Sequence, residues 1–208
     1  MSSSHVIPDY SIDWRFLLPS GPEIRMLVVG CEQSDFEKSF RELTFPVKVV
    51  SVGELHDLVE EGKQFDSVAA PVGLLGDKPY SEPGGWLANC HEVKRLIRPG
   101  GVLLIGFSNR WGIRSKLHIS HKSSMQEVQK SLKALGFQKL HFYGALPASP
   151  APEYIFPLDA RFLGYVLNKR YQHKLPKLFL SLVKTSFAQL ILKFLPYYYI
   201  VAQLVERP

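Results

Sequence analysis

Cysteine is nearly missing from this chain. Cys31 and Cys90 stand far apart, which excludes a disulfide framework and a metal-ligand spacing and makes a reducing cytoplasm the expected compartment. A leader is missing too: Met1-Ser2-Ser3-Ser4-His5 carries no basic stretch before an apolar run, so no signal peptide is expected. His118 and His121 have no carboxylate or Cys at ligand spacing, so no metal site is expected. Acid is absent over a long stretch: from Ala160 to Val205 there is no Asp or Glu, while Arg161, Lys169, Arg170, Lys174, Lys177, Lys184 and Lys193 lie there. Those seven cations exceed the formal net charge of +6, so the rest of the chain is near neutral. Such a stretch is either a solvated basic face or a surface for an anionic partner: acidic lipid, a phosphorylated or carboxylate substrate, or nucleic acid.

What is present describes one ordinary globular core: 208 residues, 46% hydrophobic and 21% charged. The chain is organised around Trp86 to Trp111. Trp86, Leu87, Cys90, Val93, Leu96 and Ile97 recur at helical spacing and make one apolar face. Pro99 forbids continuation, and Gly100-Gly101 lets the chain reverse. Val102 to Phe107 is then a nearly continuous apolar run, the pattern of a parallel strand covered on both faces. The polar knot Ser108-Asn109-Arg110-Trp111 follows at its carboxyl end, where ligands bind in open α/β sheets.

Further strands are expected at Ile24–Gly30, Val47–Val52, Phe65–Pro71, Phe137–Tyr143 and Tyr197–Ala202. A short helix is expected between Gly53 and Gly62. Ser34 with Glu37, and Ser124 with Glu127, have capping-box spacing ahead of two more helices. Residues 1–22 form an arm in which Trp14 and Phe16 dock on the sheet or cover its mouth. Residues 23–208 form one domain, with 148–196 as an insertion between the last two strands. Within it, Lys177 to Leu195 is an amphipathic helix whose apolar face packs on the domain as a lid, rather than lying in a membrane interface.

The helix, the Pro-Gly-Gly turn, the apolar strand and the Asn that follows it resemble the fifth-strand region of class I S-adenosylmethionine (SAM)-dependent methyltransferases of bacterial type. Asp66 after Phe65 resembles the family's fourth strand, and Asp13-Trp14-Arg15 resembles a segment ahead of the first strand in related bacterial proteins. The resemblance implies a Rossmann-like, mostly parallel sheet with an antiparallel last strand, here shortened in the middle and carrying a helical insertion near the C-terminus. It implies SAM as cofactor and a biosynthetic methyl transfer to a small molecule or a peptide or natural-product intermediate. The opposing expectation is a binding or scaffolding subunit that has lost SAM and serves a partner protein. A weaker third is a membrane-surface enzyme for lipid-linked material, resting on the basic, apolar C-terminal third.

By position, the resemblance implies that Gly30, Cys31, Glu32, Glu54 and Pro71 line the cofactor site. The loop keeps only one glycine, Gly30; Glu32 and Ser34 stand where glycines are expected, which predicts weak SAM binding. Glu54 is either the ribose-binding acid or an acid complementing the first turn of a helix. Asn109, Arg110, Trp111 and Tyr143 are the expected substrate side, with His141 and Tyr143 as candidate bases. The segment from Ala70 to Asp77 lacks the Asn/Asp-Pro-Pro-aromatic motif of amino-methylating nucleic-acid enzymes, so nucleic acid is not an expected substrate.

Overall fold

The computed structural model describes residues 14–30, 46–71, 73–74, 85–109, 122–146, 152–171 and 187–205. The strands are β1 (Met26–Val29), β2 (Val47–Val50), β3 (Phe65–Ala70), β4 (Ile97–Asn109), β5 (Lys122–Ser123), β6 (Phe137–Leu146), β7 (Tyr154–Pro157) and β8 (Tyr197–Leu204). The helices are α1 (Leu55–Glu60), α2 (Gly85–Leu96), α3 (Met125–Ala134), α4 (Ala160–Tyr171) and α5 (Phe187–Lys193).

The strands form one eight-stranded sheet in the order β2-β1-β3-β4-β8-β6-β7, with β5 pairing off this path on β4. β1 pairs in parallel with β2 and β3, and β3 with β4. β8 then runs antiparallel to both β4 and β6. This is the Rossmann-like methyltransferase sheet, mostly parallel on one side and closed by an antiparallel strand. Only a 3-10 turn at Val52–Glu54 and α1 separate β2 from β3, so the middle is shortened as the spacing requires.

Burial follows from the strands' own residues. Leu27, Val68, Leu103, Ile105, Tyr198 and Ile200 face one side, under residues of all five helices. Met26, Val28, Ala69, Leu104, Tyr197 and Tyr199 face the other, where Trp14 and Leu18 pack on them. Trp14 therefore docks on the sheet, as expected of the arm. Phe16 does not: it is 60% exposed, because the 3-10 turn Trp14–Leu17 carries it round to the outside.

Several boundaries differ from the expectations. The Pro-Gly-Gly segment is not a turn between elements: β4 begins at Ile97, directly after α2. Its pairing with β3 shifts register between Phe65 and Ser67, and Gly100 takes up the irregularity at φ +80°. Gly101 is needed for close approach, since a Cβ there would sit 2.8 Å from Asp66 O. Asp66, at the amino end of β3, accepts from Arg25 N at 2.7 Å and pairs with Arg98, so it fastens the edge of the sheet away from the strands' carboxyl ends.

β6 runs on to Leu146, and the insertion is not purely helical: its β7 pairs with β6 and becomes the outer strand of the sheet. The α3 capping box forms as expected, Glu127 N donating to Ser124 Oγ at 3.2 Å and Ser124 N to Glu127 Oε2 at 2.8 Å. The Ser34–Glu37 helix start and the part of the long C-terminal helix before Phe187 lie outside the described residues.

Candidate functional site at the carboxyl edge

The chain steps from β1 outward to β2, then returns to the other side of β1 for β3. That reversal is a topological switch point, and in open α/β sheets ligands bind beyond the carboxyl ends of the strands at such a point, here β1 and β3. Gly30 ends β1 there at φ +75°, a conformation that L side chains rarely adopt, and its N–H donates to Val50 O at 3.0 Å. Pro71 leaves β3 directly opposite this turn. Cys31, Glu32, Arg110 and Trp111 lie outside the described residues.

Glu54 stands just past β2. Ser51 N and Ser51 Oγ donate to its Oε2 at 2.7 and 2.8 Å, the capping arrangement that starts the next helical turn. These bonds hold its carboxyl below the usual carboxylate range, so the exposed group stays ionised. Both bonds fall on Oε2, which leaves Oε1 able to accept from a ligand. The capping and ligand-binding roles are therefore compatible.

The segment after β3 is pinned on both sides. Tyr197 Oη donates to Pro71 O, and Asn89 Nδ2 donates to Leu74 O at 2.7 Å. Between these ties Gly73 turns at φ +94° and passes Gly106 of β4, where any Cβ would strike Pro71 O and the Tyr197 hydroxyl. Tyr197 and Tyr199 meet edge to face at 5.3 Å between centroids, and Tyr143 packs beside them in register with Tyr199. Ser108 Oγ is buried next to this cluster with no hydrogen-bond partner among the described residues.

Asn109 is engaged in a structural tie. Its Nδ2 donates to Lys193 O at 2.8 Å and Leu195 O at 2.9 Å, and its backbone N–H to Pro196 O at 3.0 Å. It faces the helical side of the sheet and ties the carboxyl end of α5 to β4. His141 is exposed and stands in register with Val201, two residues farther from the edge than Tyr143. Burial pushes the Cys90 thiol up to about 12, which makes it an inert core residue. Tyr197 and Gly106 stand in the sequence only as members of expected strands, with the Tyr197-Tyr198-Tyr199 run as the available signal, whereas Ser108 belongs to the polar knot read from the sequence.

The comparisons with known structures agree with this architecture. A SAM-dependent methyltransferase from Archaeoglobus fulgidus superposes with a TM-score of 0.56 at 14% identity, covering 91% of this chain and 90% of that one. Phosphoethanolamine N-methyltransferase 2 of Haemonchus contortus gives 0.51 at 13% identity, covering 92% of this chain and 51% of that one. At these identities the likeness is one of fold: the chain has the class I SAM-dependent methyltransferase-like fold. No family model matches the chain, and no curated protein matches it in sequence.

Proposed function

We propose that the chain is a SAM-dependent methyltransferase acting on a small molecule or a peptide or natural-product intermediate in biosynthesis. The observation that carries this is the left-handed Gly30 at the point where strand order reverses, in a sheet of methyltransferase fold. SAM supplies an electrophilic methyl on a sulfonium. The residues present fit it: Gly30 keeps the backbone clear of a close ligand, and Glu54 Oε1 is a fixed, ionised acceptor for a ribose diol. Cys31 and Glu32 follow Gly30 in the sequence, and the charge of Glu32 there disfavours the cofactor's carboxylate and weakens binding.

Pro71 closes the cofactor side, and half-buried Tyr143 stands on the acceptor side, backed by the buried Tyr197 and Tyr199. Arg110 and Trp111 follow β4 and take the acceptor's polar and aromatic groups, while Asn109 holds the frame beside them. Transfer needs alignment of the acceptor atom with the methyl more than it needs a strong base. Tyr143, nearer the edge than His141, is the better-placed proton acceptor.

The competing reading, a scaffolding subunit without SAM, draws on the engagement of the Asn109 amide in structure. Equilibrium dialysis with methyl-labelled SAM separates the two. Glu54→Gln should weaken binding about tenfold, the loss of one charge-assisted bond. Ser51→Ala, which removes only the hydroxyl tie, should leave affinity nearly unchanged. Equal affinities for wild type and Glu54→Gln would remove Glu54 from the site, and no binding by the wild type would favour the scaffold.

A further inference from the structure

The outer faces of α4 and α5 carry large exposed apolar side chains among their polar ones. On α4, Leu163, Val166 and Leu167 are buried against the sheet side, yet Phe162 and Tyr165 are 47% and 62% exposed. On α5, Leu192 is buried and Leu195 just beyond it is too, yet Leu190 and Phe194 are 43% and 41% exposed. The spacings, three on α4 and four on α5, put each pair on one helical stripe. Both helices pack on each other and on the same side of the sheet, so their outward stripes look the same way.

The cations accompany these side chains. Lys169 Nζ lies 5.8 Å from the Tyr165 ring centroid, and Lys193 is exposed between Leu190 and Phe194. Arg161 is exposed too, paired with Asp159 at 3.0 Å, and the stretch from Ala160 to Val205 itself contains no Asp or Glu. The amphipathic pattern expected of the C-terminal helix is therefore split. Leu192 and Leu195 pack on the domain as expected, and Leu190 and Phe194 remain outside.

We infer that the α4–α5 face docks on an anionic phospholipid surface. Aromatic and aliphatic tips interspersed with lysines of one sign suit the headgroup–acyl boundary: the rings enter it while the ammonium groups reach back to lipid phosphates. Among the described residues no helix is long and apolar enough to cross a membrane. Asn109 ties the end of α5 to the carboxyl end of β4, so a docked membrane lies beside the edge that carries the candidate site. The inference stands on α4 and α5 alone and does not depend on cofactor binding.

Flotation of the full chain with phosphatidylcholine vesicles, with and without one-third phosphatidylglycerol, tests it at low and moderate salt. Binding should require the anionic lipid and weaken as salt screens it. Replacing Phe162 and Tyr165 by Ser, or Leu190 and Phe194 by Ser, should reduce binding about tenfold in chains that circular dichroism shows still folded. Lys169→Gln with Lys193→Gln should weaken it by about fivefold for each neutralised cation. Absence of binding to anionic vesicles at low salt overturns the inference, as does binding that all three folded variants retain. A dimer in sedimentation that either Ser pair dissolves, without vesicle binding, would assign the face to a second copy instead.

Discussion

Asn109 shows how one residue type serves two opposite ends. An Asn at the carboxyl end of a buried strand has the position and polarity of a substrate ligand, and nothing in its own sequence surroundings separates that from a structural clamp. Its partners, Lys193 O and Leu195 O, lie more than eighty residues away, beyond the range of any local pattern. Removing the amide leaves buried carbonyls at the end of α5 unpaired, each costing about 1–3 kcal/mol. Asn109→Ala is expected to lower stability to urea by about 2–4 kcal/mol, while Ser108→Ala, which removes a hydroxyl with no partner among the described residues, should change it little. Equal small effects for both would show that the Asn109 bonds carry no weight. Glu54 is the complementary case: the sequence offers it as a ribose-binding acid or as an acid complementing a first helical turn, and the structure adds a cap from Ser51 in which both bonds fall on Oε2.

At the scale of elements, the strands were legible because their runs are short, apolar and bounded by turn residues. The order in which they pair followed from the fold resemblance and the antiparallel tail. What local pattern could not show was the work done by Gly106. Inside an apolar strand it looks like a neutral filler, yet its missing side chain makes room for Pro71 O and the Tyr197 hydroxyl that donates to it. Gly106→Ala is expected to cost about 1–3 kcal/mol by overpacking, and to quench the burial of Tyr197 as the segment after β3 lifts. Solvent access at Tyr197, read by tyrosine-specific nitration or hydrogen exchange at Gly73, checks it; an unchanged pattern would mean that the segment adapts freely. β5 and β7 were also invisible beforehand, since strands of two and four residues take their identity from the neighbours they pair with rather than from propensity.

Across the whole molecule, the sheet separates structure from chemistry. Asp66 with Arg25 and Arg98 secures its amino edge, helices cover one face, and the carboxyl edge is left with Gly30, Glu54, Pro71 and the tyrosines. The central claim is that this edge holds SAM through a loop with one glycine where the family pattern has three. Calorimetric titration of the intact chain with SAM tests it most directly. The expected result is saturable binding at one site, with a dissociation constant between micromolar and millimolar, about −8 to −4 kcal/mol. No saturable heat up to millimolar SAM would contradict the cofactor assignment, and sub-micromolar binding would contradict the role given to Glu32 and the missing glycines.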